Sequence, residues 1–352
     1  MFVEFLSKTL ADRQVCVTSA IGRLSVNTDA PSVTVTLTDD GGEFYRAILY
    51  AYNGKVTVDD LASVIELRFL NLGWHMHPLR VAVAANSDPT VSDYMDLNCL
   101  YCAYDMPDDY DPSLSFFSCF QSQRVPPSAV MRFYGMIFRN SPVRLSISGF
   151  TADGTPAACE IQSSAFDGYV IADIPSIIST CRSDFAMDKV SIVTVYCSGL
   201  GKSLFICEMP DALEFRFRNC FNCLESVFVS GSSVMKTEVS SDQSVCAGQT
   251  KLYNHLTTRT YEHTTAPLTR MEAAAISQLV ESRSVYIVVD GSEYPVVIMD
   301  PTSEVSNDDS SINSLKFTWR FTGKRPRLFG DTLSPLLEPF GIFTQQFTDP
   351  YQ

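Results

Sequence analysis

The sequence predicts a mainly β protein with a few short helices (α+β class), built as serial antiparallel β-sandwich or barrel-like domains. Three observations predict it. Short runs alternate apolar and polar residues with period two, as half-buried strands do. Turn signals such as DDGG and NG separate those runs. Only a few stretches change to the 3.6-residue spacing of an amphipathic helix. At about 100–200 residues per domain, a chain of 352 residues holds two or three such units.

Taken in order, SVTVTLT (32–38) alternates Val33, Val35 and Leu37 with threonines, and ends in DDGG. EFYRAILYAY (43–52) is its hairpin partner, and NGKVTV (53–58) opens on another turn. Helical spacing follows at Leu61, Val64, Ile65, Phe69 and Leu72, with Gly73 as the stop. VRLSIS (143–148), the turn TADGT, and ACEIQSSAF lead into a second segment of this kind. There Gly168, Val170 and Asp173 match the spacing of Gly54, Val56 and Asp59. In both, Gly-x-Val-x-x-Asp precedes a short apolar helix, with Asp173 as N-cap and Pro175 in the first turn. This suggests a duplicated unit. LRVAVAAN, FFSCF and VMRFYGMIF read as strands, and DMPDDYDPS as a loop.

VSIVTVYCS, SLFICEM, ALEFRFRN, ESVFVSGSS and TRTYEH continue the strands, with SGLGKSL as a hairpin turn. In LTRMEAAAISQLVESRS, Thr269 and Glu272 form a capping box over a helix at 269–282 whose apolar face is Ile276, Leu279 and Val280. VYIVVD, YPVVIMD and LKFTWRFTG close the series. The expected domains are 1–77, 78–187 and 188–330. Residues 331–352 hold Leu336, Phe340, Phe343 and Phe347 among prolines, and read as a docking arm.

The chain is 45% hydrophobic and only 19% charged, below the usual charged fraction of about 25%. That favours extended sheets and protein contacts. A net charge of −14 opposes binding to a phosphate backbone, so no nucleic-acid partner is expected. Lys324, Arg325 and Arg327 form the best local basic patch, and with Trp319 they are candidate interaction residues. MFVEFLSKTL carries Glu4 and no basic n-region, so no signal peptide is expected. The absence of a long apolar run argues against membrane insertion. Eleven cysteines, an odd number, exclude complete intramolecular pairing. Reduced thiols serving as small core residues fit a protein made in a cytoplasm.

Two Cys-x-x-Cys pairs, Cys99/Cys102 and Cys220/Cys223, raise the question of a four-thiol zinc site. They fall in different expected domains, and neither opens a helix as a redox pair does. His75 and His77 would share one face of a strand, but a post-helix turn with surface histidines is the simpler reading. His255 and His263 stand in polar segments. The Asp clusters at 105, 108, 109, 111, 308 and 309 suit calcium or plain Asp-rich turns. No nucleophile-elbow, zinc-protease or phosphate-loop motif occurs. The expectation is a non-enzyme without cofactor.

LEFRFRNCFNCLESVFVSG (213–231) reads as strand, a turn built on Asn219, Phe221, Asn222 and Glu225, strand and glycine turn. EHTTAPLT, the capped helix and LKFTWRFTGKRPRL follow. This succession, best over 188–328, resembles structural proteins of gut Bacteroidales phages and prophages. GKVTVDDLASVIE and GYVIADIPSIIS fit the same pattern. The resemblance implies a virion structural protein, a tail or baseplate subunit such as a distal-tail or tail-tip component. It implies homo-oligomeric and neighbouring virion partners and a place in the virion tail after synthesis in the bacterial host cytoplasm. The family usually lacks a Cys pair at this turn, so Cys220 and Cys223 read as incidental. A carbohydrate-binding module for host-surface glycans is the alternative, resting mainly on tyrosines because only Trp74 and Trp319 are tryptophan. A zinc protein using the four thiols is the third reading.

Overall fold

The computed structural model describes residues 1–6, 15–106, 110–136, 142–163, 165–166, 168–246, 248–299 and 313–323. Among these residues it is mainly β, with antiparallel sheets and three short α-helices. The first module holds β1 (Val3–Phe5), β2 (Cys16–Val17), β3 (Leu24–Thr28), β4 (Ser32–Asp39), β5 (Gly42–Tyr50), β6 (Lys55–Val58), α1 (Leu61–Leu72), β7 (Met76–Ala85) and β8 (Asp88–Leu100). The second holds β9 (Ser122–Val125), β10 (Val130–Tyr134), β11 (Val143–Thr151), β12 (Pro156–Ser163), β13 (Ala165–Phe166), β14 (Tyr169–Asp173), α2 (Ile174–Phe185), β15 (Met187–Cys197) and β16 (Leu200–Ile206). The third holds β17 (Leu213–Arg218), β18 (Leu224–Val229), β19 (Gly231–Cys246), β20 (Gln249–Thr265), α3 (Arg270–Glu281), β21 (Val285–Val289), β22 (Ser292–Met299) and β23 (Lys316–Phe321).

One strand order occurs three times. It reads β5-β4-β7-β8, then β12-β11-β15-β16, then β18-β17-β21-β22. Each time a hairpin is followed by a helix, and the strand after the helix pairs antiparallel with the hairpin's first strand. The helix carries the chain back across the sheet and buries one stripe on it. Leu61, Ile65 and Phe69 of α1 share a core with Val33, Val35, Leu37, Val81 and Val83. Ile174, Ile177 and Cys181 of α2 do the same with Leu145, Ile147, Val193 and Val195. Ile276, Leu279 and Val280 of α3 pack with Phe215, Phe217 and Ile287. Each of these larger side chains contributes about 1.5–3 kcal/mol when taken fully out of water.

Local chemistry sets the ends. Asp173 accepts a hydrogen bond from the Ser176 amide at 3.1 Å, and Gly73 closes α1 in the left-handed region at φ 69°. Asn53-Gly54, Ser198-Gly199 and Asp290-Gly291 all have positive φ, as a two-residue turn that matches strand twist demands. SGLGKSL is accordingly the β15–β16 hairpin turn. At α3, Thr269 and Glu272 complete the reciprocal capping box. Thr269→Ala is expected to cost about 1 kcal/mol, read as a lower urea midpoint.

Strand pairing moves the expected boundaries. Residue 77 lies inside β7, so the first module runs on through β8. Residue 187 begins β15, which belongs to the second sheet, so the third module starts near β17. FFSCF is a connecting loop, not a strand: Phe117 and Phe120 are buried there as plugs. Trp319, expected at an interaction surface, is 0% exposed. It sits on the inward face of β23, stacked on Tyr261 with ring centroids 4.3 Å apart, because the alternation of Phe317, Trp319 and Phe321 turns that face to the core.

His263 lies in β20, fully buried, with Nδ1 2.7 Å from the Ser233 hydroxyl. Burial pushes its pKa down to about 4. The unfolded chain, with an ordinary histidine near 6.5, therefore binds more protons between those values, and stability falls as pH drops through that window. From pH 7.5 to 5.5 the expected loss from this group is on the order of 1 kcal/mol. Urea titrations at the two values check it, and His263→Phe should flatten the difference.

Candidate functional site

The stretch Arg218–Glu225, from the last residue of β17 into the start of β18, is the joint of the molecule. Asn222 takes a positive φ of 57°, which asparagine tolerates better than most residues. The Asn219 carboxamide oxygen accepts from the amides of Phe221 at 3.0 Å and Cys223 at 3.1 Å, shaping the turn. Its Nδ2 donates to the Phe117 carbonyl at 3.0 Å and to Glu225 at 2.8 Å. Asn222 Nδ2 donates to the Trp74 carbonyl at 2.7 Å and the Phe69 carbonyl at 3.3 Å. Arg218 donates to the Gly73 carbonyl at 3.1 Å. The C-terminal carbonyls of a helix lack partners within it, and here the third module donates to one of them, Phe69, and to the Gly73 and Trp74 carbonyls just past the end of α1. The cation of Arg218 also lies at the negative end of that helix.

Glu225 reaches the other way. Its carboxylate lies 3.3 Å from Lys202 Nζ of β16, with the two side chains 5% and 3% exposed. It accepts from the Cys119 amide at 3.2 Å, and the Ser118 hydroxyl touches both charged groups. Burial draws the Lys202 pKa down, and the Glu225 charge opposes that. A serine beside a lysine is a nucleophile–base pair in other settings. Here Glu225 favours the charged ammonium, and the amine is sealed from solvent. The arrangement ties β16, the 117–119 loop and β18 together.

A cavity of about 500 Å³ opens beside this joint, bounded by α1, residues 101–104, the turn and the end of α3. Its size falls within the range of small-molecule pockets, about 300–1,000 Å³. Tyr104 donates to Glu281 at 2.5 Å across its rim, and burial, reinforced by that contact, raises the tyrosine pKa. Cys220 lines the wall. Its contacts with the Cys102 and Cys119 thiols, then burial, push its pKa up. The thiol is therefore protonated at neutral pH and a poor nucleophile.

The two cysteine pairs meet only in part. Cys102 and Cys220 touch, and the Ala103 amide donates to the Cys220 carbonyl at 2.9 Å. Cys99 lies in the first module's core, opposite Cys16 of β2. Cys223 is buried with Phe117 and Phe221. Burial raises the pKa of both Cys99 and Cys223. The four thiols thus do not converge on one centre, because the register of β8 turns Cys99 to the opposite core. Among the described residues, no group of three or more His, Cys, Asp or Glu side chains is placed to hold a metal ion. His75 and His77 also part. His77 stacks on Trp74 with ring centroids 3.7 Å apart, while His75 faces Tyr134 and Phe117, so neither is a plain surface histidine. Asp111 caps a short turn, accepting from the Ser113 amide at 2.9 Å. Lys324, Arg325, Arg327, Leu336, Phe340, Phe343, Phe347, Asp108, Asp109, Asp308 and Asp309 lie outside the described residues, as does the side chain of His255.

Sequence reading missed Lys202 and treated Asn219, Asn222 and Glu225 only as turn formers. A signal was present. Lys202 falls in step with Leu204 on the apolar face of its strand, and Glu225 with Val227 and Val229. An acid and a base on inward faces ask for each other.

No family model matches the chain, and no curated protein matches it. The extracellular region of plexin A4 aligns at 8% identity and TM-score 0.25, over 93% of this chain and 40% of that one. The chain thus spans less than half of that structure's length. A tetra-tandem repeat from the extending region of a large adhesion protein aligns at 11% identity and TM-score 0.19, over 84% of this chain and 85% of that one. A Porphyromonas gingivalis W83 protein of unknown function aligns at 9% identity and TM-score 0.15, over 58% of this chain and 97% of that one. Likenesses this low carry no argument about fold or function. No helix among the described residues is long and apolar enough to cross a membrane.

Proposed function

We propose that the chain is a structural subunit that works by assembling with copies of itself and neighbouring proteins, of the phage tail or baseplate kind that its element order resembles. One observation carries the reading: a buried polar network, from Asn219 to Glu225 with Lys202, is spent on locking modules together. A subunit of a ring or tube must hold one shape, since its contacts close only if every copy presents the same angle. Among the described residues, strand edges at β5, β12 and β19 carry no further strand, and such edges add strands across subunits. Native mass spectrometry of the purified chain tests the idea, together with locating the chain in particles by electron cryomicroscopy. A discrete oligomer and a defined place in the particle are expected. A monomer at high concentration, absent from particles, rejects the reading.

A second reading has one specific support. On the outer face of the first sheet, Tyr50 is 81% and Tyr94 58% exposed. The register places Thr34, Thr36, Ala82 and Ala84 between β5 and β8 on that face. A floor of small residues between tyrosines suits the flat apolar side of a sugar ring. Trp74 and Trp319 take no part, being half-buried and buried. Binding on a glycan array, abolished by Tyr94→Ala, supports this alternative, and an array without hits removes it.

A further inference from the structure

The outer edge of β19 ends the largest sheet, whose order is β18-β17-β21-β22-β23-β20-β19. Among the described residues, β23 supports β20 only over Tyr261–Thr264. Beyond that, β19 and β20 continue as a two-stranded ribbon from Thr237 to Thr258 and on to its tip. A ribbon of two strands is marginal by itself, and its open edge presents a row of backbone donors and acceptors. Val239, Leu252 and Leu256 are each more than half exposed on it.

The edge sequence reads Val234-Met235-Lys236-Thr237-Glu238-Val239-Ser240. About Thr237 it is symmetric in character over two residues on each side, with the charge inverted. We propose that β19 pairs antiparallel with β19 of a second copy about a twofold axis through Thr237. The proposal rests on the assembly reading and names its surface and partner. In that register Lys236 lies opposite the partner's Glu238, and Glu238 opposite the partner's Lys236. Met235 lies opposite the partner's Val239, and the reverse. Opposite charges directly across a strand pair attract, and like charges repel. A twofold axis at Lys236 or at Glu238 would set like charges face to face. A one-residue slip would leave both charges without their complement. Charge therefore selects one register from its neighbours. Lys236 already lies 2.5 Å from Glu262 on its own chain and is 57% exposed, so its ammonium has donors left for a second carboxylate.

The test uses the full chain. Residues directly opposite in an antiparallel pair have Cα atoms about 4.5–5.5 Å apart, within disulfide reach. Thr237→Cys sits on the axis and should form covalent dimers on mild oxidation. Ser244→Cys, off the axis, should not exceed the wild-type background. Glu238→Lys and Lys236→Glu should each weaken self-association more than tenfold in sedimentation velocity, because each brings two like-charge pairs together. Mixed in equal amounts, they should form a heterodimer, since every facing pair is then opposite in sign. A misfolded ribbon fails in the mixture too, and the Thr237→Cys cross-link, which alters no charge, then decides. No cross-link at Thr237, or variants that associate as the wild type does, overturns the proposal. If the wild type still oligomerises in that case, the edge is wrong and the assembly reading stands. If the wild type stays monomeric at every concentration, this interface is rejected, and location in the particle judges the assembly reading separately.

Discussion

Replacing Glu225 by leucine should destabilise the chain by about 3–5 kcal/mol. The carboxylate and Lys202 are 3.3 Å apart and almost wholly buried. Removing one charge leaves the other in a medium that solvates it poorly, and that uncompensated ion dominates the loss. Asn219 and the Cys119 amide lose an acceptor in the same step, adding to the cost. The double variant Glu225→Leu with Lys202→Met should recover part of the loss, because it removes the orphaned ammonium and keeps volume. Recovery would be incomplete, since the Asn219 and Cys119 donors lose that acceptor in both variants. Urea unfolding followed by tryptophan fluorescence measures this. Trp74 borders the joint and Trp319 reports on the third core, so loosening of the joint would move the Trp74 signal first. A loss under about 1 kcal/mol for the single variant would mean that Lys202 reaches water and that the joint is not sealed.

Trp319→Ala should cost a similar amount, about 3–5 kcal/mol. The indole is fully buried. It stacks on Tyr261 and meets Phe215 edge-on with centroids 5.9 Å apart and planes at 84°. Alanine would leave a large cavity in a close-packed core. Trp319→Phe should cost less, on the order of 1–2 kcal/mol. The indole Nε1 has no hydrogen-bond partner among the described residues, so phenylalanine forfeits only volume and stacking. Thermal unfolding of the two variants separates these outcomes. A Trp319→Ala variant as stable as the wild type would contradict the packing of β23 on the third core.

Much of the local structure was legible in the residues. The alternation at Val33, Val35 and Leu37, the stop at Gly73, the N-cap at Asp173 and the box at Thr269 and Glu272 all depend on neighbours a few positions away. Such signals act within a turn or a strand, so they survive reading one segment at a time. The Gly-x-Val-x-x-Asp match paired β6 and α1 with β14 and α2, but the third copy of the strand order was invisible. There the long β19–β20 ribbon stands before the helix, and no shared residues announce it.

The class of the protein, its caps and its turns thus follow from the sequence alone, because hydrophobic period and backbone preference are local properties. Tertiary structure alone decided that Asn219, Asn222 and Glu225 bind modules together, that Cys102 meets Cys220 while Cys99 does not, and that Trp319 faces inward. Those outcomes depend on strand register and on which sheets touch. Contacts between segments a hundred residues apart are set by the free energy of the whole packed chain, and no window of sequence contains it.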